Sequence, residues 1–93
     1  MRIAKVIGSV TLSRTHPSLI GARWKVAVPL MLDDLKGEGG PPCEELVVYD
    51  DIGAGEGSLI AVSEGREASM PFHPDYKPVD AYNSAILDHI HIQ

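Results

Sequence analysis

Leu46-Val47-Val48-Tyr49-Asp50-Asp51-Ile52-Gly53-Ala54-Gly55-Glu56-Gly57-Ser58-Leu59-Ile60-Ala61-Val62 decides the reading of this chain. The first arm is apolar and rich in valine, whose branched side chain suits a pleated strand. Asp50 and Asp51 end it. Gly53, Gly55 and Gly57 then allow backbone angles that other residues resist. The second arm is apolar again and stops at Ser63-Glu64-Gly65. Read locally, the stretch predicts a hairpin of strand, tight glycine turn and strand.

A glycine-rich turn also suggests a phosphate cradle, but the residues around it argue otherwise. Phosphate loops open a helix, whose first amides and dipole hold the anion. Here the glycines lead into Ser58-Leu59-Ile60-Ala61-Val62, which favours a strand, and no lysine follows Gly57. Glu56 and the two aspartates put negative charge where a phosphate would sit.

Outward from this centre the chain remains β-prone. Residues 2–12 carry Ile3, Val6, Ile7 and Val10, with a bulge or bend expected at Gly8-Ser9. Thr15-His16-Pro17-Ser18 is a turn signal, and Pro17 forces His16 into an extended conformation. Residues 23–29 alternate: Trp24, Val26 and Val28 share one face, Arg23, Lys25 and Ala27 the other. That is a half-buried strand ended by Pro29. Residues 33–43 hold Gly37 and Gly39-Gly40-Pro41-Pro42 and read as a mobile loop. Residues 70–78, with three prolines, read as a rigid irregular connector. Residues 79–84 suit a short helix, with Pro78 at its start and Asp80 in its first turn. Residues 85–92 read as a last strand, with Ile86, Ile90 and Ile92 on one face and Leu87, His89 and His91 on the other. Five strands, glycine turns and one short helix predict an all-β fold, a small barrel formed by residues 1–93 as a single domain.

Composition narrows the function. Hydrophobic residues are 44% of the chain, enough for a folded core. Ninety-three residues bury only a modest share of their surface, so association between copies would help. Thirteen acidic residues against eight basic give a net charge of −5, which disfavours nucleic acid and anionic membranes as partners. No apolar run is long enough to span a bilayer, and residues 1–6 lack a signal-peptide pattern. The lone Cys43 has no partner for an internal disulfide, which fits a reducing cytosol.

No cluster reads as an active site. His89 and His91 have a strand spacing that can chelate a metal, but one cysteine and no matching carboxylate motif accompany them. His16 and His73 stand apart, each beside a proline. Cys43 follows two prolines, and nothing positions a base near it. Asp50 and Asp51 are adjacent, so on a strand they point to opposite faces and form no acid/base pair. A small barrel can instead be a binding module for nucleic acid or oligosaccharide. That alternative needs aromatic platforms and a basic groove. Aromatics are 5% of this chain and the charge is acidic.

Several motifs recur in a recognisable order. Met1-Arg2-Ile3-Ala4-Lys5-Val6-Ile7-Gly8 opens the chain, and Thr15-His16-Pro17-Ser18-Leu19-Ile20-Gly21 follows. Then comes a D-x-x-G-A-G-x-G pattern at Asp50-Asp51-Ile52-Gly53-Ala54-Gly55-Glu56-Gly57. Pro78-Val79-Asp80-Ala81 and Ile86-Leu87-Asp88 close it. Over most of its length the chain resembles the EutN/CcmL family, the pentameric vertex proteins of bacterial microcompartment shells. It departs from the family where Ser69 stands at the position of a family arginine. Arg66 and Glu67 are the candidates to replace its subunit contact.

The resemblance implies an OB-like five-stranded barrel in a cyclic homopentamer that plugs five-fold corners among hexameric microcompartment shell proteins. It implies a structural protein of a cytoplasmic compartment, with no enzyme activity, no cofactor, no metal and no nucleic-acid or membrane partner. It also implies that Gly53, Ala54, Gly55, Glu56 and Gly57 lie near the five-fold axis or pore. Unpaired sheet edges need cover. The connector and the C-terminal segment are therefore expected on a neighbouring subunit, through Phe72, Tyr76, Ile90 and Ile92.

Overall fold

Strand β1 (Arg2–Val10) turns Ala4 and Val6 into the core, at 0% and 1% exposure, and leaves Lys5 open to solvent. The computed structural model describes residues 1–37, 44–75 and 77–90. After β1 come a 3-10 turn (Pro17–Leu19), β2 (Trp24–Pro29), the helical turn α1 (Leu32–Leu35) and β3 (Leu46–Tyr49). Then follow β4 (Leu59–Glu64), α2 (Arg66–Ser69), a second 3-10 turn (Met70–Phe72) and β5 (Ala81–Leu87). The strands close a barrel in the order β1-β2-β3-β5-β4. Every pairing is antiparallel except β3 with β5, which run parallel through Tyr49 and Tyr82.

The five-stranded all-β barrel expected from the sequence is present. The register between β1 and β2 slips between Val6 and Gly8, beside the expected bulge. His16 is extended (ψ 140°), as Pro17 requires, and its Nδ1 accepts the Ser18 amide at 3.1 Å.

Three expectations are corrected. The glycine stretch is not a hairpin. β3 pairs with β2 and β5, and β4 with β1 and β5, so residues 50–58 cross from one side of the barrel to the other. Residues 79–84 are not helical: β5 begins at Ala81, because Ala81 and Asn83 turn inward at 7% and 0% exposure. The helical turn after β4 lies instead at Arg66–Ser69, where Gly65 (φ +62°) redirects the chain. The start of the predicted loop at residues 33–43 is helical, with the Asp34 carboxylate accepting the Met31 amide at 2.8 Å. Cys43, Tyr76, His91 and Ile92 lie outside the described residues.

Two apolar clusters explain why β2 alternates less simply than expected. The inner cluster fills the barrel with Ala4, Val6, Ala27, Val48, Ala54, Ile60, Val62 and Ala81. Ala27, on the face shared with Arg23 and Lys25, is therefore fully buried. The outer cluster joins Leu19, Tyr49, Ala68 and Val79 with Trp24, Phe72 and Tyr82. Here α2 and the turn after it cover one side of the barrel. Tyr49 sits at its centre, 5.4 Å from Trp24, 5.1 Å from Phe72 and 5.9 Å from Tyr82 between ring centroids.

Candidate functional site

The crossing at residues 50–58 is organised by a buried carboxylate. Asp50 is 0% exposed at the end of β3. Its Oδ1 accepts the amides of Ile52 and Gly53, both at 3.1 Å, and its Oδ2 accepts the Ala54 amide at 2.8 Å. The Asn83 side-chain amide on β5 donates to Oδ1 at 3.1 Å, while Asn83 Oδ1 accepts the Ala85 amide at 3.2 Å. One side chain thus gathers three successive amides into a concave turn and ties it to β5. Burial pushes the Asp50 carboxyl up, but the bonds from Asn83, Ile52, Gly53 and Ala54 outweigh it and hold the group below its ordinary value. The second aspartate, Asp51, is exposed and takes no part in this network.

Both ends of the crossing are anchored on other strands. The Asp50 amide donates to the Arg23 carbonyl at 2.9 Å. Farther on, the Gly57 amide donates to the Val6 carbonyl at 2.7 Å, and the Val6 amide to the Ser58 carbonyl at 2.9 Å. Gly53 and Gly57 have φ of +90° and +89°, a region that side chains resist. Gly55 has no such angle, and a Cβ there would meet nothing within 4 Å.

The five residues expected near an axis divide in two. Ala54 is 1% exposed and its methyl closes the inner cluster, so it is a core residue of its own barrel. Gly53, Gly55, Glu56 and Gly57 are exposed on the outside of the crossing. Of the expected subunit contacts, Arg66 and Glu67 are exposed on α2 and Ile90 is half-buried beyond β5. Phe72 is half-buried in the outer cluster, edge-on to Tyr49 and Tyr82 and 4.8 Å from the Lys77 ammonium. The crossing enters β4 at Leu59, and α2 leaves it after Glu64. The exposed glycines and Glu56 therefore lie toward one end of β4 and Arg66 and Glu67 toward the other, on the order of 17 Å apart along the strand, while Ile90, beyond the Leu87 that pairs with Leu59, lies at the crossing end.

An ion cluster near the far end escaped the sequence reading. Arg2 Nε donates to Glu64 Oε2 at 2.7 Å, and Nη2 to Glu64 Oε1 at 2.6 Å and Glu44 Oε1 at 3.1 Å. The hydrogen bond from Arg2 holds the Glu64 carboxyl below its ordinary value. Nothing in the spacing of residues 2, 44 and 64 signals this contact. It exists because β1 and β4 pair around the barrel.

Among the described residues, the groups considered for catalysis do not converge. His73 and His89 are exposed, and His16 binds the neighbouring Ser18. Among the described residues, no three of His, Cys, Asp and Glu come together to hold a metal. The binding-module alternative gains no support either, because Trp24, Tyr49, Phe72 and Tyr82 pack against one another rather than forming an open stacking platform.

The family described as "Ethanolamine utilisation protein EutN/carboxysome" matches residues 1–88. The chain belongs to the EutN/CcmL family. This EutN/CcmL chain is 36% identical over 95 residues to the carboxysome shell vertex protein CcmL of Nostoc, covering 100% of this chain and 88% of that protein. It is 31% identical over 90 residues to the shell vertex protein PduN of Salmonella typhimurium, covering 95% and 96%. The solved GrpN pentameric microcompartment shell protein of Rhodospirillum rubrum superposes with a TM-score of 0.82 at 30% identity, covering 100% of both chains. In this chain the D-x-x-G-A-G-x-G stretch supplies an acceptor for three amides, an alanine plug for the barrel and two left-handed glycines.

Proposed function

We propose that the protein is a structural vertex protein of a bacterial microcompartment shell, without catalytic activity. It assembles as a homopentamer in the cytoplasm and sits at five-fold corners among hexameric shell proteins. The observation that carries this reading is the end-to-end match, in sequence and fold, to a pentameric shell protein. The physical logic is geometric. Six-fold tiles make flat sheets, and closing a sheet into a polyhedron needs five-fold corners. A heterologous, head-to-tail contact that closes after five copies supplies them. Relatives named for carboxysomes and for other compartments match at similar identity, so the likeness carries the corner role rather than an enclosed chemistry.

Within the ring, we infer that the outside of the glycine crossing lies near the axis. Gly55 supports this, because nothing among the described residues of its own chain calls for a glycine there. A crowded axis would. Glu56, exposed beside it, then contributes to a solvated acidic ring, since five like charges are tolerable only in water. Arg66 and Glu67, exposed on α2, take the lateral contact that the family arginine makes, and Ile90, at the other end of β4, makes a separate contact. Co-assembly with hexameric shell proteins tests the function. With this protein present, closed polyhedral shells are expected. Closed shells formed equally well in its absence would refute the corner role.

A further inference from the structure

The net charge of −5 conceals an uneven distribution. Residues 1–32 hold five of the eight lysines and arginines and none of the thirteen aspartates and glutamates. The fold collects two of these cations, Arg23 and Lys25, in a cleft of about 340 Å³ where the end of β1 meets the start of β2. Among the described residues, no carboxylate lines it.

The ladder explains the gathering. Lys25 is the partner of Ser9, and Arg23, two residues before Lys25, falls on the same face. The two cations start roughly 7 Å apart along the chain, and both side chains are long enough to converge on one group between them. Thr11 and Thr15 bring hydroxyls to the cleft, and Leu12 and Trp24 bring apolar surface. The wall that carries Thr15 is fixed rather than loose. Leu19, 7% exposed, anchors it in the outer cluster. The Leu19 amide donates to the His16 carbonyl at 2.9 Å and the Ala22 amide to the Leu19 carbonyl at 3.0 Å, with Gly21 (φ +85°) turning the chain back toward β2.

Neither cation is neutralised by its own chain. Among the described residues, Arg2 alone makes ion pairs. The acidic crossing adjoins the cleft, since the Asp50 amide donates to the Arg23 carbonyl, yet Asp51 forms no ion pair with the Arg23 side chain. Two cations beside hydroxyl donors suit a doubly charged anion with several acceptor oxygens. A phosphate monoester, with a charge of about −1.5 to −2 and three acceptor oxygens, matches them better than a single carboxylate. The volume is at the small end for a ligand site, so the body of the ligand is compact.

We propose that this cleft binds a small phosphate monoester. Arg23 and Lys25 hold the phosphate, the Thr11 and Thr15 hydroxyls donate to its oxygens, and the rest of the ligand lies against Leu12 and Trp24. Every one of these residues comes from one chain, so the site does not depend on the ring.

Trp24 is the single tryptophan, so its fluorescence reports on the cleft. The full chain, titrated with phenyl phosphate at constant ionic strength, should give a saturable change, with calorimetry as the second measurement. Inorganic phosphate should compete, and phenol should bind roughly tenfold more weakly or not at all. Arg23→Gln and Lys25→Gln should each weaken binding roughly tenfold or more. Lys36→Gln, which removes an exposed cation outside the cleft, should leave it nearly unchanged. Circular dichroism checks that each variant folds. Arg23 is exposed, so Arg23→Gln decides the matter if Lys25→Gln does not fold. The proposal is overturned if neither method shows saturable binding up to about 10 mM phenyl phosphate, well above the affinity expected of a specific site. It is also overturned if the cleft variants bind as the parent does, if Lys36→Gln weakens binding as much as they do, or if phenol binds as tightly as phenyl phosphate. Each of these results leaves the vertex reading standing.

Discussion

Replacing Asp50 with Ala removes the acceptor for three amides and one side-chain amide. Ile52 and Gly53 are exposed, so their amides can turn to water. The Ala54 amide and Asn83 are buried and are left unpaired. A buried unsatisfied group costs about 1–3 kcal/mol, so the two together cost about 2–6 kcal/mol. Relief from burying a carboxylate returns part of this, leaving about 2–4 kcal/mol. Each kcal/mol lowers Tm by roughly 4–8 °C in a domain of this size, so a fall on the order of 10–25 °C is expected. Thermal unfolding followed by circular dichroism, with parent and variant at equal protomer concentration, measures it. Asp50→Asn should fall between the two. It keeps an oxygen for Ile52 and Gly53 but presents an N–H to the Ala54 amide. If Asp50→Ala lowers Tm by less than about 3 °C, the carboxylate does not hold the crossing and the reasoning fails.

The same carboxylate predicts an acid limit. Asp50 and Glu64 both titrate below their ordinary values when folded. The unfolded chain therefore takes up protons first, and stability present at neutral pH is lost as pH falls from about 4 through the folded values. Asp50→Asn should flatten the dependence of Tm on pH in that window, and an unchanged slope would contradict the assignment. Gly55→Ala should leave the unfolding of the single chain nearly unchanged or raise its stability by about 0.4–1 kcal/mol. It should weaken the ring if the crossing lies at the axis, as dilution followed by sizing will show. Ala54→Leu overpacks the barrel and should lower stability by about 1–3 kcal/mol whatever the assembly does, measured by urea unfolding. Arg2→Ala should cost about 1 kcal/mol or less, and less still at high salt, because the ion pairs are part exposed.

Much of the barrel is legible in the order of the residues. Ala4-Lys5-Val6 alternates, Pro17 sets His16, and each β-branched run becomes a strand. The glycine stretch is harder. Two apolar arms around alternate glycines look locally like a hairpin, and whether they pair depends on which strands lie between them. Here β5, from the far end of the chain, separates β3 from β4. Asp50 carried the signal that the turn is a crossing: a carboxylate set just ahead of Gly-Ala can gather their amides. Its burial against Asn83 depends on a contact 33 residues away, which no local spacing shows. Residues 79–84 mislead for a similar reason. Pro78 and Asp80 are good helix openers, but Ala81 and Asn83 are needed inside the barrel and Tyr82 against Tyr49 outside it. Tertiary packing overrides the local preference. Gly55 and Ala54 look alike as small residues at a crowded axis. Only the fold separates a methyl inside the core from a glycine exposed on the outside of the crossing.

Native mass spectrometry of the purified chain at micromolar concentration tests the central claim most directly. A closed ring of five 10.0 kDa chains predicts a single species of about 50 kDa, with no larger multiples, because a heterologous contact that closes leaves no free face. A stable monomer, or a ladder of dimers and open chains without a five-chain end point, would contradict it.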